Sequence, residues 1–299
     1  MQDDIPIIAL ENLSKTFEIK PVFGARRQVH ALRNVSLDIP AGRSLALVGE
    51  SGSGKSTIGR MILRHYPPSS GVIRFRGQDI TTIDRRIYGR SVQMVFQDPF
   101  AALNPAHRVR HHLMRPLRLH QPDRDPDEAL RALLRAVDLD HASTVDKYPN
   151  ELSGGQRQRV NFARALAVNA RLIIADEPTS MLDVSIRKSV LGLMRDLKKE
   201  MGLSILYITH DIATAQYLAE DTAVMFGGQI VERGPTGDVV GNPQHPYTRL
   251  LRAAIPDPAI RLQPGTDSFA AQVEEVRRFA ATAVTGMSVV GSGHLVAEH

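Results

Sequence analysis

Apolar residues fall into short unbroken runs closed by glycine, proline or an acid, the pattern of buried strands in an α/β sheet. Ser44-Leu45-Ala46-Leu47-Val48 is one such run, Leu172-Ile173-Ile174-Ala175 a second, and Leu203 to Thr209 a third. Nearer the N-terminus the pattern loosens into alternation. It predicts strands over Ile5 to Leu13 and over Leu32 to Ile39, the latter with Val35, Leu37 and Ile39 on one face. Lys20 to Arg27, polar and basic with Pro21 and Gly24, reads as a hairpin insertion or a flexible loop. Val72 to Arg76 alternates apolar and basic positions, as a half-exposed antiparallel strand does. Val92 to Phe96 is a further strand, stopped at Pro99.

Helical spacing takes over elsewhere. Thr57 to Arg64 reads as a helix. From Phe100 to Asn150 the β signal fades and His and Arg accumulate. Asp125-Pro126-Asp127-Glu128 is a helix start, with a capping Asp, Pro at the first position and Glu three residues after the cap. Leu130, Leu133, Leu134 and Val137 then mark one apolar face. Val184 to Met201 is a long amphipathic helix ended by Gly202. Ala223 to Glu232 is a hairpin around Gly227-Gly228, and Pro235 to Ile255 carries two short helices, the second opened by Pro246. Beyond Pro256 a helix is predicted from Ser268 to Ala281, with Val273, Val276, Phe279 and Ala280 on one face. Thr282 to His299, small and Gly/Ser-bearing, is expected to be mobile. The sum is an α/β chain with a helical subdomain inserted into its core and no internal repeat.

Composition narrows the function classes. With 299 residues and 42% hydrophobic content, a sizeable core is available. The absence of cysteine excludes disulfides, Cys-ligated zinc and iron–sulfur clusters held by this chain. The net charge of +5, from 37 basic and 32 acidic side chains, comes without a basic run interleaved with aromatics and without Trp, so nucleic acid is not the expected partner. No run approaches the roughly 18 apolar residues of a membrane helix, and Met1-Gln2-Asp3-Asp4 lacks a signal-peptide layout. If the protein works at a membrane, another chain is expected to cross it.

The stretch Gly49-Glu50-Ser51-Gly52-Ser53-Gly54-Lys55-Ser56-Thr57 fits the phosphate-loop pattern, between a predicted strand and a predicted helix. Glycines let consecutive N–H groups turn toward an anion, and the helix start adds free N–H groups and partial positive charge. Lys55 then reaches outer phosphates, and Ser56 offers its hydroxyl to Mg²⁺. Asp176, at the end of a buried strand, is a second Mg²⁺ ligand in such sheets. Glu177, one residue on, is poised to orient and polarise a water, although paired acids at a strand end also serve as mere caps. His210 ends another buried strand and is either structural or a γ-phosphate contact. Ser153-Gly154-Gly155-Gln156 opens a helix and is either a second anion-ready N-terminus or an ordinary Ser cap. Phe17, in the early β region, is either a core residue or an adenine stacker. His107, His111 and His112 invite a metal reading, yet no carboxylate completes a set, and a solvated helix is the simpler account.

Taken together, from about Ile5 to Ile255 these motifs resemble the ATP-binding subunits of ABC transporters. Gly49–Thr57 looks like Walker A, Gln97 like the Q-loop glutamine, and Leu152-Ser153-Gly154-Gly155-Gln156 like the family signature. Leu172–Asp176 looks like Walker B with Glu177 as catalytic glutamate, Ser180–Asp183 like the D-loop, and His210 like the switch histidine. Phe17 lies where the family carries its adenine-stacking aromatic. The resemblance implies a P-loop NTPase (RecA-like) core with an antiparallel β subdomain and a helical subdomain over about 98–155, all within 1–255, followed by an extension over 256–299. It implies ATP and Mg²⁺ as ligands, with Gln97 joining Ser56 and Asp176 at the metal and Ser153 to Gln156 acting on the nucleotide of a partner subunit.

A narrower resemblance is to the oligopeptide/dipeptide/nickel-type import ATPases. It rests on Phe96-Gln97-Asp98-Pro99, on Leu103-Asn104-Pro105, on the insertion before Val29-His30-Ala31-Leu32, and on the tail Asn242-Pro243-Gln244-His245-Pro246-Tyr247-Thr248-Arg249. This chain departs from that branch in lacking C-terminal cysteines, in Met181 of the D-loop, and in Phe100-Ala101-Ala102. Membership implies a homologous second ATPase subunit, in a heterodimer rather than a homodimer. It also implies two transmembrane permeases, an extracytoplasmic solute-binding protein engaged indirectly, and a peripheral place on the cytoplasmic face of the bacterial inner membrane. The alternative is an ABC ATPase that works in export or off the membrane, against which the His-Pro-Tyr tail argues.

Overall fold

Two sheets carry the β structure, and the strand order of the larger one decides where the chemistry sits. The computed structural model describes residues 5–19, 26–255, Val276, Phe279 and 282–299. In chain order the elements are β1 (Ile8–Ile19), β2 (Arg27–Ile39), β3 (Ser44–Val48), α1 (Lys55–Ile62), β4 (Ser70–Phe75), β5 (Gln78–Asp79), α2 (Arg85–Ser91) and β6 (Val92–Val95). There follow α3 (Val109–His120), α4 (Pro126–Ala136), α5 (His141–Thr144), α6 (Gly154–Leu166), β7 (Leu172–Asp176), α7 (Val184–Met201), β8 (Ser204–Thr209) and α8 (Ile212–Leu218). The chain ends with β9 (Asp221–Phe226), β10 (Gln229–Pro235), α9 (Thr236–Gly241), α10 (Pro246–Ala253), β11 (Gly286–Gly291) and β12 (His294–Glu298).

The larger sheet has eight strands in the order β11-β12-β10-β9-β3-β8-β7-β6. From β6 to β9 every neighbouring pair is parallel; beyond β9 pairing is antiparallel. Every residue of β3, β7 and β8 is buried, which is why these segments read as unbroken apolar runs. Alternate side chains of each strand serve opposite faces. Leu45, Leu47, Ile174, Leu206 and Ile208 pack with Ile58, Met61 and Ile62 of α1, whereas Ala46, Val48, Ile173, Ala175, Ile205 and Tyr207 pack toward α6, α7 and α8.

The smaller sheet, order β2-β1-β4-β5, is antiparallel and covers the α1 side. Here β1 runs past the predicted end at Leu13, through Phe17 to Ile19. Register shifts between Leu10 and Thr16, with Asn12 at φ 50°, interrupt the alternation that would have revealed it. Ile19 pairs with Arg27; the intervening residues 20–25, read as an insertion, lie outside the described residues.

Between β6 and β7 the chain is helical, as the spacing predicts. Asp125 caps α4 by accepting from Glu128 N at 2.7 Å, with Pro126 at the first position. Leu130, Leu133, Leu134 and Val137 are all buried. The hairpin β9–β10 turns at Gly227 and Gly228, both at positive φ. Helices α2 and α8 have no counterpart in the sequence reading. The stretch after Thr282, expected to be mobile, instead carries β11 and β12, which pair with each other and extend the large sheet through β10. The helix read over Ser268 to Ala281 lies outside the described residues, apart from Val276 and Phe279. No helix among the described residues is long and apolar enough to cross a membrane.

Candidate nucleotide-binding site

The loop Gly49–Gly54 leaves the C-terminal end of β3, in the middle of the sheet, and runs into α1. Gly54 closes the loop at the helix start. It sits at φ +106°, and a Cβ there would come 2.5 Å from the Ala31 carbonyl oxygen. Being glycine, it also gives α1 no side-chain cap, so the first N–H groups of the helix are open to an anion. Lys55 is buried and folds back along the loop. Its Nζ donates to the carbonyl oxygens of Gly49 at 2.7 Å and Glu50 at 2.6 Å, and lies 3.3 Å from Ser53 Oγ. Burial pushes the Lys55 ammonium below its ordinary range, against the pull of Glu177, Asp176 and Glu50.

Three further strands in succession deliver polar residues to the same edge. Parallel register sets Val48 beside Thr209 and Asp176 beside Ile208. Ser56 Oγ donates to Asp176 Oδ1 at 2.9 Å across 120 residues of sequence. Burial raises the Asp176 carboxyl above its usual range despite that bond, so a cation beside it would favour the ionised form. The hard oxygen donors of Ser56 and Asp176 suit Mg²⁺. Glu177 follows at φ 44°, a left-handed conformation uncommon for a residue with a Cβ, with its N–H bonded to the Ile208 carbonyl. This turn aims its carboxylate sideways. Oε2 accepts from Gln97 Nε2 at 3.2 Å, and Oε1 lies 3.3 Å from His210 Nδ1. Gln97, Glu177 and His210, each picked from a different strand end, are thus in direct contact.

Ser153–Gln156 stand apart. No hydrogen bond or ion pair among the described residues joins them to Gly49–Thr57. Ser153 caps α6 in a reciprocal box: Gln156 N donates to Ser153 Oγ at 3.3 Å, and Ser153 N donates to Gln156 Oε1 at 3.0 Å. Gly155 packs tightly, since a Cβ would sit 2.7 Å from Ile186 Cγ2. Ser153 itself is exposed. Phe17 is half-buried, edge-on to Tyr66 at 5.3 Å, and pairs with Val29 on β2, the strand whose Ala31 abuts Gly54. His107 and His111 stack with ring centroids 4.0 Å apart, and His112 meets the Asn104 carbonyl.

Residues 32–180 match the family model described as ABC transporter, and residues 231–282 match that of the oligopeptide/dipeptide transporter C-terminal region. The dimeric structure of MJ0796, a bacterial ABC transporter cassette, superposes with a TM-score of 0.65 at 30% identity, over 77% of this chain and 98% of that one. The chain belongs to the ABC transporter ATPase family. The same cassette in a post-hydrolysis state bound to ADP and Pi gives a TM-score of 0.66 at 28% identity, over 77% and 98% of the two chains. Among curated relatives, the glutathione import ATP-binding protein GsiA of Salmonella choleraesuis (strain SC-B67) is 43% identical over 307 residues. That match takes in 98% of this cassette and 48% of the relative, so the chain spans about half the length of the curated relatives it matches. With the C-terminal match, it makes the chain similar to ATPases of the oligopeptide/dipeptide type.

Some functional contacts escaped the sequence reading. Ser180 Oγ donates to the Glu177 carbonyl at 3.0 Å and steadies the strained turn. Asp211 caps α8 and is tied to Thr209 and Thr214 behind His210. Tyr247 reaches Glu50 N from 197 residues away. Local pattern carries no trace of such long-range bonds; the Pro-Tyr pair stood out only as a mark of the branch.

Proposed function

We propose that the chain hydrolyses ATP to power uptake of oligopeptides or dipeptides through a partner permease. The observation that carries this reading is the convergence of the phosphate loop, Asp176, Glu177, Gln97 and His210 at the ends of four neighbouring strands. Loop N–H groups and Lys55 bind the phosphates of ATP, and the half-buried Phe17 stacks on adenine. Ser56, Asp176 and Gln97 hold Mg²⁺. When bound, that ion neutralises charge on the phosphate oxygens. Glu177 orients and polarises the attacking water, and His210 contacts the γ-phosphate while fixing the Glu177 carboxylate. Gln97 leads from the γ-phosphate side into the helices after β6, so it relays occupancy to the permease.

Ser153, which is exposed, and Gly154–Gln156, none of them bonded to their own phosphate loop, act on ATP held by a second, homologous ATPase subunit. A heterodimer is favoured over a homodimer. The cassette proper spans 1–255, with 98–155 as its inserted helical part and 256–299 as an extension. The assembly sits on the cytoplasmic face of the bacterial inner membrane with two permeases and, indirectly, a solute-binding protein. A small-peptide cargo is supported by the match to the oligopeptide/dipeptide C-terminal region and by a relative named for import of glutathione, itself a tripeptide. The test is Glu177→Gln in the assembled complex. ATP binding is retained while turnover falls by about a hundredfold or more, the scale of losing a general base. Undiminished turnover would overturn the role of Glu177.

A further inference from the structure

One peptide group of the phosphate loop is held from both sides. The Gly49 carbonyl accepts from Lys55 Nζ at 2.7 Å, and the N–H of the same peptide, on Glu50, donates to the Tyr247 hydroxyl at 2.8 Å. These two bonds fix which way the peptide faces: carbonyl toward the lysine, N–H toward the phenol. A flip of the peptide would break both.

Tyr247 is itself well held. Its ring is buried and lies flat on Phe226 of β9, with centroids 4.2 Å apart and planes 28° from parallel. The start of α10 hangs on the wholly buried carboxylate of Glu232, which accepts from Gln244 N at 2.8 Å and His245 N at 3.0 Å. Glu232 also bonds His294 Nε2 of β12 at 2.7 Å. An unbroken line of contacts therefore runs from the C-terminal hairpin, through Glu232 and α10, to the loop.

We propose that Tyr247 is a positioning residue for the nucleotide site, orienting the Gly49–Glu50 peptide, and that the β11–β12 hairpin holds it there through Glu232. This rests on the nucleotide-binding reading above. The β11–β12 hairpin then tunes affinity for nucleotide from a distance. The hydroxyl works as a neutral acceptor, since burial keeps the phenol above its ordinary pKa.

The test uses equilibrium binding of a fluorescent ATP analogue to the full-length chain. Tyr247→Phe keeps the ring and its stack on Phe226 but removes the acceptor. Affinity drops about three- to tenfold, the scale of one hydrogen bond, with the melting temperature little changed. In the assembled complex KM for ATP rises by a similar factor while kcat holds. Thr248→Val is the control. This neighbour is fully buried, its hydroxyl has no hydrogen-bond partner among the described residues, and its loss leaves affinity unchanged. His294→Ala weakens binding less than Tyr247→Phe does and adds nothing in the Tyr247→Phe background. Wild-type affinity in Tyr247→Phe, alongside lost binding in Lys55→Ala, would overturn the proposal and leave the nucleotide reading intact. An equal loss in Thr248→Val would overturn it as mere packing. A wild-type chain that binds no nucleotide would overturn both readings.

Discussion

Two helix starts in this molecule are finished in opposite ways. At α1 the residue before the helix is Gly54, left-handed and without a side chain, so it supplies no side-chain cap to the first N–H groups. At α6 that residue is Ser153, which closes a reciprocal box with Gln156. The first is half-buried, in a loop whose lysine is already inside. The second is exposed and complete on its own. An open start binds a ligand because the chain leaves its donors free. A closed one has a helix to hold together and meets a ligand with a hydroxyl and the helix dipole, on a surface that a partner can cover. On the proposed function, the open start is the primary half of a cage whose second half arrives from another subunit.

Filling the open start should do the most damage. Gly54→Ala adds a Cβ against Ala31 O, Met225 Cε and Leu32 Cδ2 at a φ that disfavours it. Strain and overpacking together cost on the order of 4 kcal/mol, read as roughly a thousandfold loss of ATP affinity. Unchanged affinity would mean that the loop is not the binding element.

A third helix start sharpens the comparison by pH. His245 caps α10 by accepting from Tyr247 N at Nδ1, 3.1 Å away, while Nε2 meets His299. Burial, with His299 and Arg249 adding to it, lowers the His245 pKa to about 4. Protonation would turn the capping acceptor into a donor. Because the folded pKa lies below the unfolded one, the unfolded chain binds more protons between them, so stability falls as pH drops from about 6.5 to about 4. The full loss is about 3 kcal/mol. Urea unfolding at pH 7 and pH 5 captures about 2 kcal/mol of it, and His245→Asn, which keeps an acceptor, flattens the slope. A slope that persists in the variant assigns the effect to other groups.

The closed start should respond most gently. Ser153→Ala removes a cap worth about 1 kcal/mol of stability. ATP affinity of the isolated chain stays at wild type, whereas ATP-dependent association with the second ATPase subunit is lost. If affinity of the isolated chain fell instead, the signature would be serving its own loop.

The parallel core was legible because its strands are buried on both faces and end in glycine or acid: Val48 before Gly49, Ala175 before Asp176. The site was legible for the same reason, since each of its residues follows a strand end. The margins were not. Bulges broke the alternation of β1, so Lys15 to Ile19 did not read as strand. In β11–β12, Gly286, Gly291, Ser292 and Gly293 dilute the apolar signal until a hairpin looks like a tail, and its fixing bond, His294 to Glu232, spans 62 residues. Helix α2, with three arginines and a glycine, presents little periodic face; it owes its start to Asp84, which accepts from Arg86 N and Ile87 N.

Strand order also works as a ruler. Gln97, Glu177, His210 and the phosphate loop follow β6, β7, β8 and β3, which lie side by side. Adjacent strands are spaced at about 4.8 Å, so polar side chains at successive ends come within reach of one another without any connecting loop being shaped for it. The long detours between them, including all the helices from α3 to α6, are free to lengthen or drift. A slip of one residue within a strand is not tolerated, because it would turn every side chain on that strand to the opposite face.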